Sequence, residues 1–164
     1  MFKRFMRQLE LVMIRVRIRL PMPHDRKSLM LATLASAGQG VTFTPAQIQK
    51  LFFLIDREAQ QLLEGPYFNF TPYDYGPFDR TVYDELSVLK MEGCVHVDSS
   101  QRHRLYSLTT TGFERGQIFL DALRPATKDF MAELAAWVKS LNFQQLVSAI
   151  YQHYPEMKIN SVFR

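Results

Sequence analysis

A chain of 164 residues with 47% hydrophobic and 22% charged content suffices for one well-packed domain and is too short for two comfortable ones. Its one cysteine, Cys94, excludes an intrachain disulfide framework and any CxxC or Cys/His zinc pattern, so the cytosol is the expected compartment. The net charge of +4 is unevenly placed: residues 1–27 hold eight Lys or Arg against Glu10 and Asp25, a net +6, which leaves everything from Ser28 onward at −2. The basic balance belongs to the leader, and this weakens a nucleic-acid reading of the rest, because DNA affinity is carried largely by Lys and Arg facing phosphates.

Along residues 1–24, Val12, Ile14, Val16 and Ile18 alternate with Met13, Arg15, Arg17 and Arg19 in the period of a strand. Two readings stand: a basic arm that orders on a polyanion, or a segment outside the working protein, with Met22 as the translation start. No apolar run approaches the ~20 residues of a membrane span, and no small-residue cleavage site follows the basic start, so neither a membrane partner nor a signal peptide is expected.

From Asp25 the pattern is helical, with Leu29, Leu31, Leu34 and Ala35 on one face, ending at Gly38-Gln39-Gly40. Thr44-Pro45-Ala46-Gln47 reads as a capping box that starts a second helix, expected over residues 45–64 and stopped by Gly65-Pro66. Its apolar set is Ile48, Leu51, Phe52, Ile55, Ala59, Leu62 and Leu63. A loop then carries Phe68-Asn69-Phe70-Thr71-Pro72-Tyr73-Asp74-Tyr75-Gly76-Pro77-Phe78-Asp79-Arg80. Gly76 is free to take positive φ and Pro77 presets a helical φ, which predicts a third helix from Pro77 to about residue 91, burying Val82, Leu86 and Leu89. Tyr73, Tyr75 and Phe78 bracket its start as an aromatic corner, read either as a recognition surface or as rings closing the core.

Residues 94–97 and 105–108 are β-rich and flank a polar tip, the pattern of a hairpin. A helix capped by Thr109 or Thr110 follows, broken at Arg124-Pro125. Two more helices bury Phe130, Leu134, Trp137, Val138 and Leu141, then Phe143, Leu146, Val147 and Ile150, up to Tyr154-Pro155. The order predicts a mainly α fold with a small β-hairpin: a winged helix-turn-helix domain over residues 25–164, extended by C-terminal helices. Tyr106-Ser107-Leu108-Thr109-Thr110-Thr111-Gly112 resembles the phrase that leaves the wing in many winged-helix regulators.

Lys50-Leu51-Phe52-Phe53-Leu54, followed by Phe70-Thr71-Pro72-Tyr73-Asp74-Tyr75-Gly76-Pro77 and Val82-Tyr83, resembles the YwgA-like proteins and, more distantly, the Panacea-type antitoxin domain of phage-associated proteins. The resemblance covers residues 28–116. It implies a prokaryotic or phage-borne regulatory module, often toxin-neutralising or part of an anti-phage system, and brings no catalytic residues. The chain departs from the Panacea pattern at Phe78-Asp79-Arg80, where that family favours small apolar residues.

No GxGxxG, Walker A, HExxH or GxSxG phrase is present, and the four histidines have no metal-ligand spacing, although His96 and His103 are expected to face each other across the hairpin. Cys94 reads as a small buried hydrophobe. Asp74 suits a turn and Asp79 a first helical turn, although together they could form a carboxylate pair. The chain is therefore expected to be no enzyme, with no cofactor and no metal; an enzyme is the third alternative and would need a pocket joining Asp74, Asp79 and His96. The leading expectation is a regulatory protein that binds a protein partner, such as a toxin or defence-system component, through Tyr73, Asp74, Tyr75 and Phe78. The alternative is a DNA-binding repressor using Arg80, Thr81, Arg102 and Arg104, although the third helix with its flanks sums to −2. Trp137 and the last two helices suggest a homodimer, or else a cover for the same domain.

Overall fold

The computed structural model describes residues 25–163, and both readings of the leader lie outside the described residues. Among the described residues, six α-helices, two two-stranded antiparallel sheets and one 3-10 turn follow in order. Helix α1 (Arg26–Ser36) begins where the Asp25 carboxylate accepts the Ser28 N–H at 2.7 Å. Ser28 to Ala35 are all buried, so α1 is enclosed on every side instead of burying the single face its spacing suggested. Helix α4 (Thr110–Ala122), capped by Thr109, packs directly on it. Gly116 permits the close approach: a Cβ there would lie 2.4 Å from the Leu31 carbonyl oxygen.

Helix α2 (Pro45–Glu58) opens with the expected capping box, in which Thr44 and Gln47 exchange side-chain and backbone hydrogen bonds. Regular helix stops at Glu58, six residues before the expected end. The following residues wind as turns that still bury Ala59 and Leu63, so the apolar spacing is met without a helix.

The third helix does not begin at Pro77. Gly76–Phe78 forms strand β2, paired antiparallel with β1 (Thr71–Tyr73), and helix α3 spans Arg80–Met91. Asp79 decides the start: its carboxylate accepts the Thr81 N–H, whereas a helix entered at Pro77 would have side-chainless Gly76 at its cap. Pro77 faces Pro72 in the ladder, and neither has an N–H to leave unpaired. Gly76, at φ 98°, closes the turn after Asp74 and Tyr75. Val82, Leu86 and Leu89 are the buried face of α3.

Strands β3 (Val95–Asp98) and β4 (Leu105–Leu108) form the second hairpin. His96 pairs with Ser107 instead of His103, because His103 lies in the tip beyond the last ladder pair, Asp98 with Leu105. Phe43 bridges to Tyr106 by two backbone hydrogen bonds, adding a third short edge to this hairpin. Helices α5 (Pro125–Ser140) and α6 (Phe143–His153) pack on α2, and α5 also packs on α1; the 3-10 turn Pro155–Lys158 follows. Asn142 and Gln145 form a second capping box at the start of α6. Their buried apolar residues join one core with those of α1 and α2, so both helices cover the same domain. Phe143, expected inside, is 43% exposed.

Candidate functional site

The hairpin β1–β2 is fastened on both sides. On the α2 side, the Gln49 side chain bonds both backbone groups of Asp79. On the other, the C-terminal tail crosses the strands: the Val162 N–H donates to the Asp74 carbonyl at 2.9 Å, and Asn160 Nδ2 donates to the Pro72 carbonyl at 3.1 Å. Asp56 anchors the approach to the hairpin by accepting the N–H groups of Tyr67 and Phe68. Burial pushes the Asp56 carboxyl above its ordinary range, outweighing those two hydrogen bonds.

Fixed this way, the hairpin forms one wall of a cleft of about 710 Å³. The first turn of α2 (Thr44, Pro45, Ala46), the tip of the β3–β4 hairpin (Arg102, His103), Tyr83 and Phe143 are also in its lining. All four residues expected to bind a partner, Tyr73, Asp74, Tyr75 and Phe78, line it. Tyr73 is 53% exposed and Tyr75 is 45% exposed, so these two rings do not close the core; Phe78 is half-buried. Tyr73 packs on Phe78 at 5.1 Å and Tyr75 meets Phe143 edge-on at 5.2 Å. The ring contacts continue from Phe78 to Tyr83 and from Tyr83 to Tyr106, which links the corner to a buried ring of β4. Burial raises the Tyr83 phenol to about 12.

The residues expected to contact DNA are less closely grouped. Arg102 lines the cleft, while Arg104 is exposed at the tip of the β3–β4 hairpin. Arg80 extends into solvent from the start of α3, 3.9 Å from Asp84, and the Thr81 N–H serves the Asp79 cap. Asp74 and Asp79 do not form a carboxylate pair facing the cleft. Asp79 uses its two oxygens on the N–H groups of Thr81 and Asn69, and only Asp74 reaches the lining. Cys94 is fully buried, with Arg115 Nη1 3.0 Å from its sulfur.

Sequence reasoning missed the residue at the cleft floor. Lys50 is 4% exposed and lines the cleft, and its described hydrogen bond is a long one, 3.5 Å from Nζ to the Pro77 carbonyl. Burial lowers its ammonium from 10.5 to about 8. Ala46, Lys50 and Phe53 share one stripe of α2 at spacings of four and three, and that signal marks a lysine on a buried face. Phe143 and the C-terminal tail come to the cleft from far along the chain, and no local pattern announces them.

Among the described residues, no group of three or more His, Cys, Asp or Glu side chains is placed to hold a metal ion, and no helix is long and apolar enough to cross a membrane. No family model and no curated protein matches the chain.

Proposed function

We propose that this chain is a non-enzymatic regulatory protein of the winged-helix type that acts by holding a protein partner in the aromatic cleft, in an antitoxin-like or phage-defence setting. The observation that carries the reading is the exposure of Tyr73 and Tyr75 on a hairpin tied down by Gln49 and by the C-terminal tail. Large aromatic rings on an ordered backbone bury much area on binding at small entropic cost, as interface anchors do. The order α1, α2, α3, hairpin, α4 supports the winged-helix assignment, and so does the Phe43 edge beside the wing. The hairpin between α2 and α3 takes the place of a short turn there and gives this chain a recognition feature of its own. The test is co-purification from cells with Tyr73→Ser and Tyr75→Ser together. The reading requires loss of a specific protein companion with the melting temperature kept, and an unchanged set of companions contradicts it.

One observation favours a second reading. Arg102, His103 and Arg104 are consecutive and exposed at the wing tip, as a DNA-contacting wing would need. In that reading Arg102→Ala with Arg104→Ala weakens retention of genomic fragments and flattens its salt dependence. Retention that is unchanged removes the wing from such a role.

A further inference from the structure

We propose that the cleft contains a carboxylate subsite, in which Lys50 takes the acid group of a small planar organic acid whose apolar body lies among Tyr73, Tyr75, Phe78 and Phe143. The inference goes beyond partner capture and stands without it.

The Lys50 charge is isolated. An ammonium has three donors, yet among the described residues Nζ of Lys50 has one long bond to a carbonyl and belongs to no ion pair. Its side chain runs directly beneath the hairpin turn, with Cε 3.7 Å from the position a Gly76 Cβ would take. Water that would otherwise solvate the group is largely excluded, and a buried cation in that condition gains more from an anion than an exposed one does.

The walls of the cleft favour an anion as well. The first turn of the 14-residue helix α2 forms part of the lining, so the positive end of its dipole faces the cleft. Arg102 and His103 stand at the wing side, and among the described residues Asp74 is the single carboxylate in the lining. The remaining ionisable groups facing the cleft are the phenols of Tyr73, Tyr75 and Tyr83. One carboxylate matches one buried ammonium, whereas a phosphate would ask for more donors than the floor supplies. The aromatic surround suits a flat apolar body, and the volume of about 710 Å³ is of the size that holds small molecules.

The experiment titrates the full chain with 2-naphthoate and with its neutral counterpart 2-naphthamide, following ligand fluorescence. The proposal requires saturable binding of the acid, with the amide weaker by ~10-fold or more on the wild-type protein. Lys50→Met should lower affinity for the acid by a similar factor and leave that for the amide in place, which also shows that the cleft is intact. Because Lys50 loses its proton from about pH 8 upward, acid affinity should fall as pH rises beyond that point, and the fall should persist in His103→Gln. Equal affinity for acid and amide overturns the proposal. So does undiminished binding by Lys50→Met, or no saturable binding of the acid below about 10 mM.

Discussion

The side-chain amide of Gln49 clasps both backbone groups of Asp79: its Nε2 donates to the Asp79 carbonyl and its Oε1 accepts the Asp79 N–H, each at 3.0 Å. Asp79 is the junction between β2 and α3, so this clasp fixes the aromatic hairpin to α2 at the residue where strand becomes helix.

Gln49 is almost fully buried, and shortening it strands a backbone donor and a backbone acceptor together. Gln49→Ala should therefore cost about 2–3 kcal/mol, well above a surface substitution. Urea unfolding measures it, as a lowered midpoint at unchanged slope.

Lys50→Met should do the opposite. A buried cation with a single long hydrogen bond is destabilising, and an apolar chain of similar length relieves it, by ~1–3 kcal/mol at neutral pH. The pH dependence has a definite sign. Lys50 holds its proton to about pH 8 when folded and to 10.5 when unfolded. Between those values the unfolded chain carries more protons, so stability at this site rises with pH. The advantage of the Met variant is then full below pH 8 and fades toward pH 10.5, as denaturant midpoints taken across that window would record.

Gly76→Ala tests the hairpin turn. Its φ of 98° is a conformation that L-residues resist, and the added Cβ would meet the Tyr151 ring at 3.4 Å. A loss of ~1–3 kcal/mol is expected, with altered near-ultraviolet dichroism as the aromatic corner shifts. An unaffected thermal midpoint would mean that the turn relaxes without cost.

Where local chemistry decides a feature, the sequence made it legible. Thr44 with Gln47 announced the start of α2, the pair Thr109 and Thr110 the start of α4, where Thr109 is the cap, and the β-rich runs around 94–97 and 105–108 the second hairpin. The start of α3 was misplaced because Pro77 satisfies helix and strand rules alike, and the choice turned on the Asp79 cap and on pairing with Pro72. The aromatic corner was visible in Tyr73, Tyr75 and Phe78. What makes it a cleft was not, because Phe143, the tip of the β3–β4 hairpin and the tail at residues 160–162 that holds β1–β2 arrive from 24 to 88 residues away in sequence. Lys50 enters the sequence reading only as the first residue of the family phrase, because a charged residue on a helix usually faces water; the Ala46, Lys50, Phe53 spacing hints at its burial, and the position of Gly76 above it shows it.

The central claim, that the exposed aromatic cleft is where this protein meets a partner, is tested most directly by cross-linking from inside it. Tyr75 is replaced by a benzophenone amino acid in the full chain, cells are irradiated, and a second sample carries the same group at exposed Ile118 on α4, outside the cleft. The account predicts a discrete protein adduct from position 75 that is absent from position 118 and suppressed when Tyr73→Ser is added. Adducts no different from those at position 118, or adducts to nucleic acid alone, would contradict it.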